Sequence, residues 1–169
     1  MIKYLLEKYT LHIEDRDDGT CSISLKSVEE KSECLALKKE RRKIYCIGSL
    51  GKILYVGEAN TSIKTRFQRG SSSFNYFIKN KKARNGYQGY KWLHKNDNSE
   101  RLLTVYVAIF EPEHDPKENR NIIEAIEGEL VYLIRLNTGE WPYFQQEIHF
   151  SNRPGAKETA VNIYNELFS

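Results

Sequence analysis

The chain has 169 residues, of which 40% are hydrophobic and 12% aromatic, and its formal net charge is +3. This length supports one sizeable hydrophobic core but is too short for two domains of typical size. The aromatic content excludes a disordered tail. No run approaches the roughly 20 apolar residues that span a bilayer, so we expect a soluble, cytoplasmic protein without a membrane partner.

Two segments of alternating apolar and polar residues lie near the N-terminus, at positions 9–14 and 21–26. The string between them contains Asp-Asp-Gly, a combination that favours a tight turn. We interpret the pair as a hairpin within an N-terminal extension that covers residues 1–42. The extension ends in a charged stretch with room for a short helix.

A second hairpin begins the main domain, which we predict over residues 43–169. Residues 44–48 and 53–57 are short runs rich in β-branched and aromatic side chains. A glycine-containing turn of four residues separates them, as in a tight β-hairpin. The sequence therefore predicts two antiparallel strands here.

A short helix is predicted to follow this hairpin. It begins near Ile63, behind a capping residue among positions 60–62, and ends by Gly70. Ser-rich and Asn/Gly-rich breaks then indicate a basic insertion over about residues 71–100. Within it, we expect a short helix near residues 87–95.

The second half of the chain contains one strand and two helices. Residues 102–110 have the composition of a buried strand, and the prolines that follow end it. Helical periodicity covers residues 117–136, with Gly139 as its C-cap, and a terminal helix covers 157–168. The order of elements predicts the α/β (α+β) class, with a small, mainly antiparallel three-stranded sheet flanked by helices.

Basic residues are concentrated in the middle of the chain. Residues 38–95 hold 15 Lys or Arg and two acidic residues, a net charge of +13, whereas the remainder carries −10. A positive region of this kind suits a phosphate backbone, although it can also be only a solvated face. The side chains that we assign to nucleic-acid binding are Lys64, Arg69, Lys79, Lys81, Lys82, Arg84 and Lys91.

Two tyrosines of the second hairpin occupy matching positions. Tyr45 and Tyr55 lie ten residues apart, each shortly before a glycine, and Arg66 lies on the following helix. Here the chain resembles the GIY-YIG nuclease family, because residues 43–45 read Lys-Ile-Tyr and residues 55–57 read Tyr-Val-Gly. The next stretch, Glu-Ala-Asn-Thr-Ser-Ile-Lys-Thr-Arg-Phe, is similar to the family's turn into a helix that carries an arginine.

A later helix extends the resemblance. Residues 127–131, Glu-Gly-Glu-Leu-Val, are similar to the family's Glu-x-x-Leu-Ile pattern, so the resemblance covers about residues 43–137. The chain departs from the pattern at Lys43, which replaces a glycine, and at Gly70, where the family often has a histidine. The interval between the second tyrosine and the arginine is also one residue longer. Because this histidine is absent, another residue has to handle the proton in its place.

One carboxylate stands in an apolar stripe of this later helix. On a wheel of 100° per residue, four apolar residues lie within about 60° of Glu127. They are Ile123, Leu130, Val131 and Ile134. A carboxylate in such a stripe is costly unless it binds a cation or is otherwise satisfied, so Glu127 is the preferred metal ligand. Glu124, Glu129 or a structural salt bridge remain the alternatives.

The resemblance implies hydrolysis of phosphodiester bonds with one divalent ion, Mg²⁺ or Mn²⁺, and a 5′-phosphate product. We hypothesise that a metal on Glu127 polarises the phosphate, that Arg66 contacts two of its oxygens, and that Tyr45 orients the attacking water or acts as general base. Tyr55 would support the same site through its hydroxyl. Ordinary cross-strand packing is the alternative interpretation of the two tyrosines.

The segment 141–152 offers two auxiliary candidates. Families of this type often add a late polar residue, commonly Asn, to the site, and Asn152 could fill that role. His149 could replace the histidine that is missing at Gly70. The alternative interpretations are a turn residue and a hydrogen-bonded core histidine.

The predicted function is that of a metal-dependent endonuclease acting on DNA, double-stranded by resemblance, with a homodimer as one way to cut both strands. Two other classes stay open at this point. One is a catalytically inactive GIY-YIG-fold module that only binds nucleic acid, which the missing histidine slightly favours. The other is an unrelated α/β binding protein whose tyrosines only pack.

Overall fold

The computed structural model describes residues 2–30, 33–94, 101–112, 116–146 and 148–168. Within these ranges the strands are β1 (Tyr4–Asp15), β2 (Cys21–Ser27), β3 (Lys43–Ser49), β4 (Lys52–Ala59) and β5 (Leu102–Phe110). The α-helices are α1 (Ile63–Asn80), α2 (Pro116–Thr138) and α3 (Ala156–Phe168). Short 3₁₀ turns lie at Leu35–Leu37, Arg84–Gly86 and Lys91–Leu93. No helix in the described ranges is both long enough and apolar enough to cross a membrane.

The strands form one five-stranded antiparallel sheet in the order β2-β1-β5-β3-β4. The predicted α+β class is confirmed, but the predicted count of three strands is wrong. The N-terminal hairpin joins the main sheet, because β1 pairs with β5 from Tyr4↔Phe110 to His12↔Leu102. This pairing covers the edge of β5 that would otherwise expose unpaired backbone groups.

The sheet is covered on both faces, so the chain has two hydrophobic cores. Successive side chains of a strand point to opposite faces, and β3 illustrates this rule. Tyr45 and Ile47 pack in the core on the α1 side, whereas Ile44 and Cys46 pack in the core beneath α2 and α3. Every residue of β3 from Lys43 to Gly48 is buried as a result. The first tyrosine of the motif therefore faces α1.

Lys43, the first residue of the Lys-Ile-Tyr string, is fully buried at the start of β3. Its ammonium donates hydrogen bonds to the carbonyl oxygens of Lys38, at 2.7 Å, and of Arg41. Burial lowers the pKa of this ammonium to about 8. This lysine therefore holds the chain that leads into β3.

The helix α1 begins where the sequence predicts, with the Ser62 hydroxyl accepting a hydrogen bond from the Thr65 amide at 3.3 Å. The prediction that it ends by Gly70 is wrong, because it continues to Asn80. Its buried stripe runs through Ile63, Phe67, Gly70 and Phe74 at helical spacing. Burial of this stripe outweighs the weak helix propensity of the glycine and serines. The first third of the predicted basic insertion is therefore helical.

The other predicted elements differ less from the structure. The strand at 102–110 is confirmed, and α2 extends the predicted helix by one residue at its start and two at its end. The Gly139 amide donates to the Arg135 carbonyl at 3.0 Å, which confirms the predicted C-cap. The short helix expected near 87–95 is a 3₁₀ turn at Lys91–Leu93, and position 95 lies outside the described residues.

A segment after α2 runs along the outer edge of β4. The Phe144 amide donates to the Leu54 carbonyl at 2.8 Å, and the Gln145 side-chain oxygen accepts from the Val56 amide at 3.1 Å. These contacts occupy backbone groups of an edge strand. They also fix Gln145 beside the end of β4 that carries the second tyrosine motif.

Candidate active site

Tyr45 and Arg66 form the inner part of the site. Tyr45 is fully buried, and its hydroxyl accepts a hydrogen bond from Arg66 Nε at 3.2 Å. The contact arises because Tyr45 faces α1 and Arg66 lies in the first turn of that helix. The Phe67 ring packs edge-on against Tyr45 at 5.2 Å between centroids. Both functional groups are therefore held in one geometry before any ligand binds.

The ionisation of Tyr45 bears on its proposed role. Burial, together with the neighbouring Tyr55, raises the pKa of the Tyr45 phenol well above its ordinary value, while Arg66 opposes the shift. A phenol of this kind keeps its proton at neutral pH. In the metal-free protein, this favours Tyr45 as a group that orients water over Tyr45 as a general base.

Tyr55 lies beside Tyr45 on the neighbouring strand, with 6.0 Å between the ring centroids. Burial and the Glu127 carboxylate raise the pKa of its phenol to about 12. Both rings crowd the backbone of Gly57, which pairs directly with Tyr45 across the strands. A Cβ added at Gly57 would lie 2.6 Å from the Tyr45 hydroxyl oxygen and 2.7 Å from a ring carbon of Tyr55. The glycine of the second half-motif is thus required by the two phenols.

Glu127 approaches from α2, on the other side of β4. It lines a cleft of about 420 Å³ together with Tyr55, Tyr87, Gln145 and the backbone near Gly89. Because β4 is an edge strand, a side chain on α2 can meet the tyrosine side of the sheet around that edge. The cleft therefore joins the Glu127 carboxylate to Tyr55 and Tyr87 on the opposite face, next to the hydrogen-bonded pair of Tyr45 and Arg66.

The Glu127 carboxyl has an unfavourable environment for its negative charge. Burial, together with the nearby Glu58 and Glu124, raises its pKa to about 8, while Arg66 acts in the opposite direction. Glu58 is paired with Arg42, and Glu124 accepts from Arg120 Nε at 2.7 Å. Among the described residues, no hydrogen bond or ion pair reaches Glu127 itself. It is the carboxylate of this group that a cation would stabilise most.

A metal at this site would depend on few protein ligands. In the described part of the chain, no group of three or more His, Cys, Asp or Glu side chains is arranged to hold an ion. A single carboxylate that leaves the other positions to water and substrate oxygens is a common arrangement for Mg²⁺. The cleft beside Glu127 offers the space for those ligands.

Two residues that line the cleft were not assigned to the site from the sequence. Tyr87 reaches the site from the loop after α1, and the Arg66 guanidinium lies over its ring at 5.5 Å from the centroid. Gln145 reaches it from the segment along β4. Both residues lie on irregular chain without periodicity. The only feature of the sequence that marks this part of the site is the pair of glycines near Tyr87, Gly86 and Gly89.

The structure separates the two auxiliary candidates. His149 is exposed and lines a small cavity of about 80 Å³ that also borders Glu58, Glu124 and Glu127. Asn152 is exposed and lines neither this cavity nor the cleft. His149 is therefore next to the carboxylate, whereas Asn152 is not brought to it.

The basic residues assigned to nucleic-acid binding surround α1 and the turn after it. Six of the seven are exposed, and Lys91 is half-buried. The exposed residues are Lys64, Arg69, Lys79, Lys81, Lys82 and Arg84. Phe74, Tyr90 and Trp92 between them are buried and pack inward. The cations of this region are thus presented to solvent while these three aromatic rings belong to the core.

Replacing Glu127 by glutamine is expected to stabilise the metal-free protein at pH 8 by about 1–3 kcal/mol, and to change its stability much less at pH 5. The folded state keeps a proton up to about pH 8 that the unfolded chain loses near the ordinary value of 4.5. Wild-type stability therefore falls as pH rises through this window, whereas glutamine does not titrate. Urea unfolding in EDTA at both pH values measures the difference, and an equal effect at pH 5 and pH 8 would contradict the shift.

The four residues singled out from the sequence thus border one connected site at the β4 edge. Tyr45 and Arg66 are hydrogen bonded, and Tyr55 and Glu127 share the cleft. The chemistry has to be inferred from these side chains, because neither a protein-family model, nor a curated protein, nor a solved structure matches this chain.

Proposed function

We propose that this chain is a divalent-metal-dependent endonuclease of the GIY-YIG type, which hydrolyses phosphodiester bonds in DNA. One observation carries the proposal: Tyr55 and Glu127 line one cleft, and Tyr45 packs beside Tyr55 and is hydrogen bonded to Arg66. These four residues lie up to 82 positions apart in the sequence. Cross-strand packing alone would account for the two tyrosines. It would not account for the guanidinium beside them, or for a nearby carboxylate that no hydrogen bond or ion pair reaches among the residues that the structure describes.

Each side chain has a role that its contacts support. Arg66 uses Nε for the Tyr45 hydroxyl, which leaves its terminal amino groups available for two phosphate oxygens. Tyr45 accepts that hydrogen bond and keeps its own proton, so it can orient the attacking water or a phosphate oxygen. Tyr55, which lines the cleft, supports the same substrate group.

Glu127 is the residue that would hold Mg²⁺ or Mn²⁺. Its carboxylate lies in an environment that penalises an uncompensated charge and opens onto the cleft. A bound divalent ion would supply charge neutralisation at the phosphate and at the leaving oxygen. The fit rests on the side chain's burial and on its lack of a partner among the described residues.

Double-stranded DNA is the substrate that the charge distribution favours. The net charge of +13 over residues 38–95, with six exposed cations around α1, would attract a phosphate backbone and make binding sensitive to salt. A homodimer, which would place two sites on one duplex, is part of this proposal. The competing function is an inactive module that only binds nucleic acid, favoured by Gly70 at the family's histidine position.

Nicking of a supercoiled plasmid tests the proposal. We expect cleavage with Mg²⁺ or Mn²⁺, none with EDTA, and none for Arg66→Ala or Glu127→Ala. Salt-sensitive DNA binding without metal-dependent nicking would instead identify the inactive module. Absence of both cleavage and binding would identify a protein whose tyrosines only pack.

A further inference from the structure

Gly70, at the position where the family often has a histidine, is used in this chain for packing. A Cβ added there would meet a ring carbon of Trp92 at 3.7 Å, so the indole lies against the helix at this point. The Trp92 ring also packs against Phe67, with 5.4 Å between centroids. The Trp92 indole therefore lies next to the point where a side chain at position 70 would begin.

Trp92 in turn anchors the loop that borders the cleft. Its indole Nε1 donates a hydrogen bond to the Gly89 carbonyl at 2.9 Å. The Tyr87 ring folds back over this same glycine, because a Cβ added at Gly89 would lie 2.6 Å from the Tyr87 hydroxyl oxygen. The Tyr87 phenol thus packs over a glycine that Trp92, the neighbour of Gly70, holds in place.

Tyr87 is also joined to the functional groups. The Arg66 guanidinium lies over its ring at 5.5 Å, a cation–π contact. Tyr87 lines the same cleft as Tyr55 and Glu127. No hydrogen bond of its hydroxyl is found among the described residues, so the hydroxyl can bond to a ligand in the cleft.

We propose that Tyr87 is a further catalytic residue of this site, whose hydroxyl donates a hydrogen bond to an oxygen of the scissile phosphate beside Arg66. The inference rests on the proposed nuclease function and assigns to Tyr87 the place left by the absent histidine. The phenol donates its hydrogen bond without giving up the proton. Charge that develops on the phosphate is stabilised by donors fixed in advance, as Tyr87 is here.

Tyr87→Phe is the direct test, since it keeps the ring beneath Arg66 and removes only the hydroxyl. We expect the single-turnover rate of duplex cleavage to fall by roughly 10- to 100-fold. The dissociation constant for the duplex, measured in EDTA, and the melting temperature should stay close to wild type. Tyr90→Phe is the matched control, because it removes the hydroxyl of a tyrosine three residues away that does not line the cleft, and it should leave the cleavage rate unchanged.

The outcomes separate this inference from the nuclease proposal. Wild-type rates in Tyr87→Phe, while wild-type protein cleaves, would overturn the role of Tyr87 and leave the nuclease intact. A rate loss that follows an equal loss of stability or DNA affinity, or that also occurs in Tyr90→Phe, would reduce Tyr87 to a packing residue. Absence of cleavage by the wild-type protein would overturn both.

Discussion

Replacing Arg66 by lysine is expected to lower the single-turnover cleavage rate by about 100- to 1000-fold, although the positive charge is retained. Lysine cannot reproduce the Nε donor that reaches the Tyr45 hydroxyl at 3.2 Å, nor the planar group that lies over Tyr87. It also presents a point charge in place of a fork that fits two phosphate oxygens. Arg66→Ala should lose at least as much activity.

A matched control separates this geometric effect from charge alone. Arg69 lies on the same helix but is exposed to solvent, so Arg69→Lys should leave both rate and affinity near wild type. Arg69→Ala should weaken duplex binding at low salt, with a smaller salt dependence. Full activity of Arg66→Lys would show that the guanidinium contacts with the two tyrosines have no part in the chemistry.

Replacing Gly57 by alanine is expected to reduce cleavage by about 100-fold or more, because it displaces both phenols. The added methyl would lie 2.6 Å from the Tyr45 hydroxyl oxygen and 2.7 Å from Tyr55. Tyr45 is buried on all sides and packed by Phe67, so it cannot rotate away without disturbing the core. A loss of stability of about 1–3 kcal/mol should accompany the change.

Gly70→Ala is the control for this prediction. Its methyl would meet Trp92 at 3.7 Å, an ordinary contact, and alanine favours a helix over glycine by about 1 kcal/mol. We therefore expect Gly70→Ala to fold with equal or higher stability and to keep its activity. Urea unfolding and single-turnover cleavage measure both variants. Normal activity of Gly57→Ala would contradict the close approach of the phenols.

The parts of the site that could be predicted from the sequence are those set by local pattern. Strand alternation places Tyr45 and Tyr55 on one face of a hairpin, and a capped helix start places Arg66 directly after it. Helical periodicity identified the apolar stripe around Glu127, whose four predicted neighbours are all buried. Each of these inferences concerns one hairpin or a few helical turns. Over so short a stretch, the periodicity of the strand or helix alone determines the face on which a side chain lies.

The parts that could not be predicted depend on long-range contacts. The pairing of β1 with β5 joins segments about 100 residues apart, and no local pattern identifies the partner of an alternating strand. Tyr87 reaches Arg66 from irregular chain, positioned by Trp92 and a backbone carbonyl. Glu124 is a neighbour of Glu127 on the same helix, but the like charge of Glu58 comes close only when β4 and α2 meet. The part of the carboxylate's environment that comes from β4 therefore follows from packing and not from spacing.

The Mg²⁺ dependence of single-turnover duplex cleavage, measured for wild type, Glu127→Gln and Glu129→Gln, tests the central claim most directly. Glu129 lies two residues away on α2 and lines neither the cleft nor the small cavity beside Glu127. We predict saturable cleavage for wild type and Glu129→Gln, and none for Glu127→Gln at any Mg²⁺ concentration. Undiminished, Mg²⁺-dependent cleavage by Glu127→Gln would contradict the account.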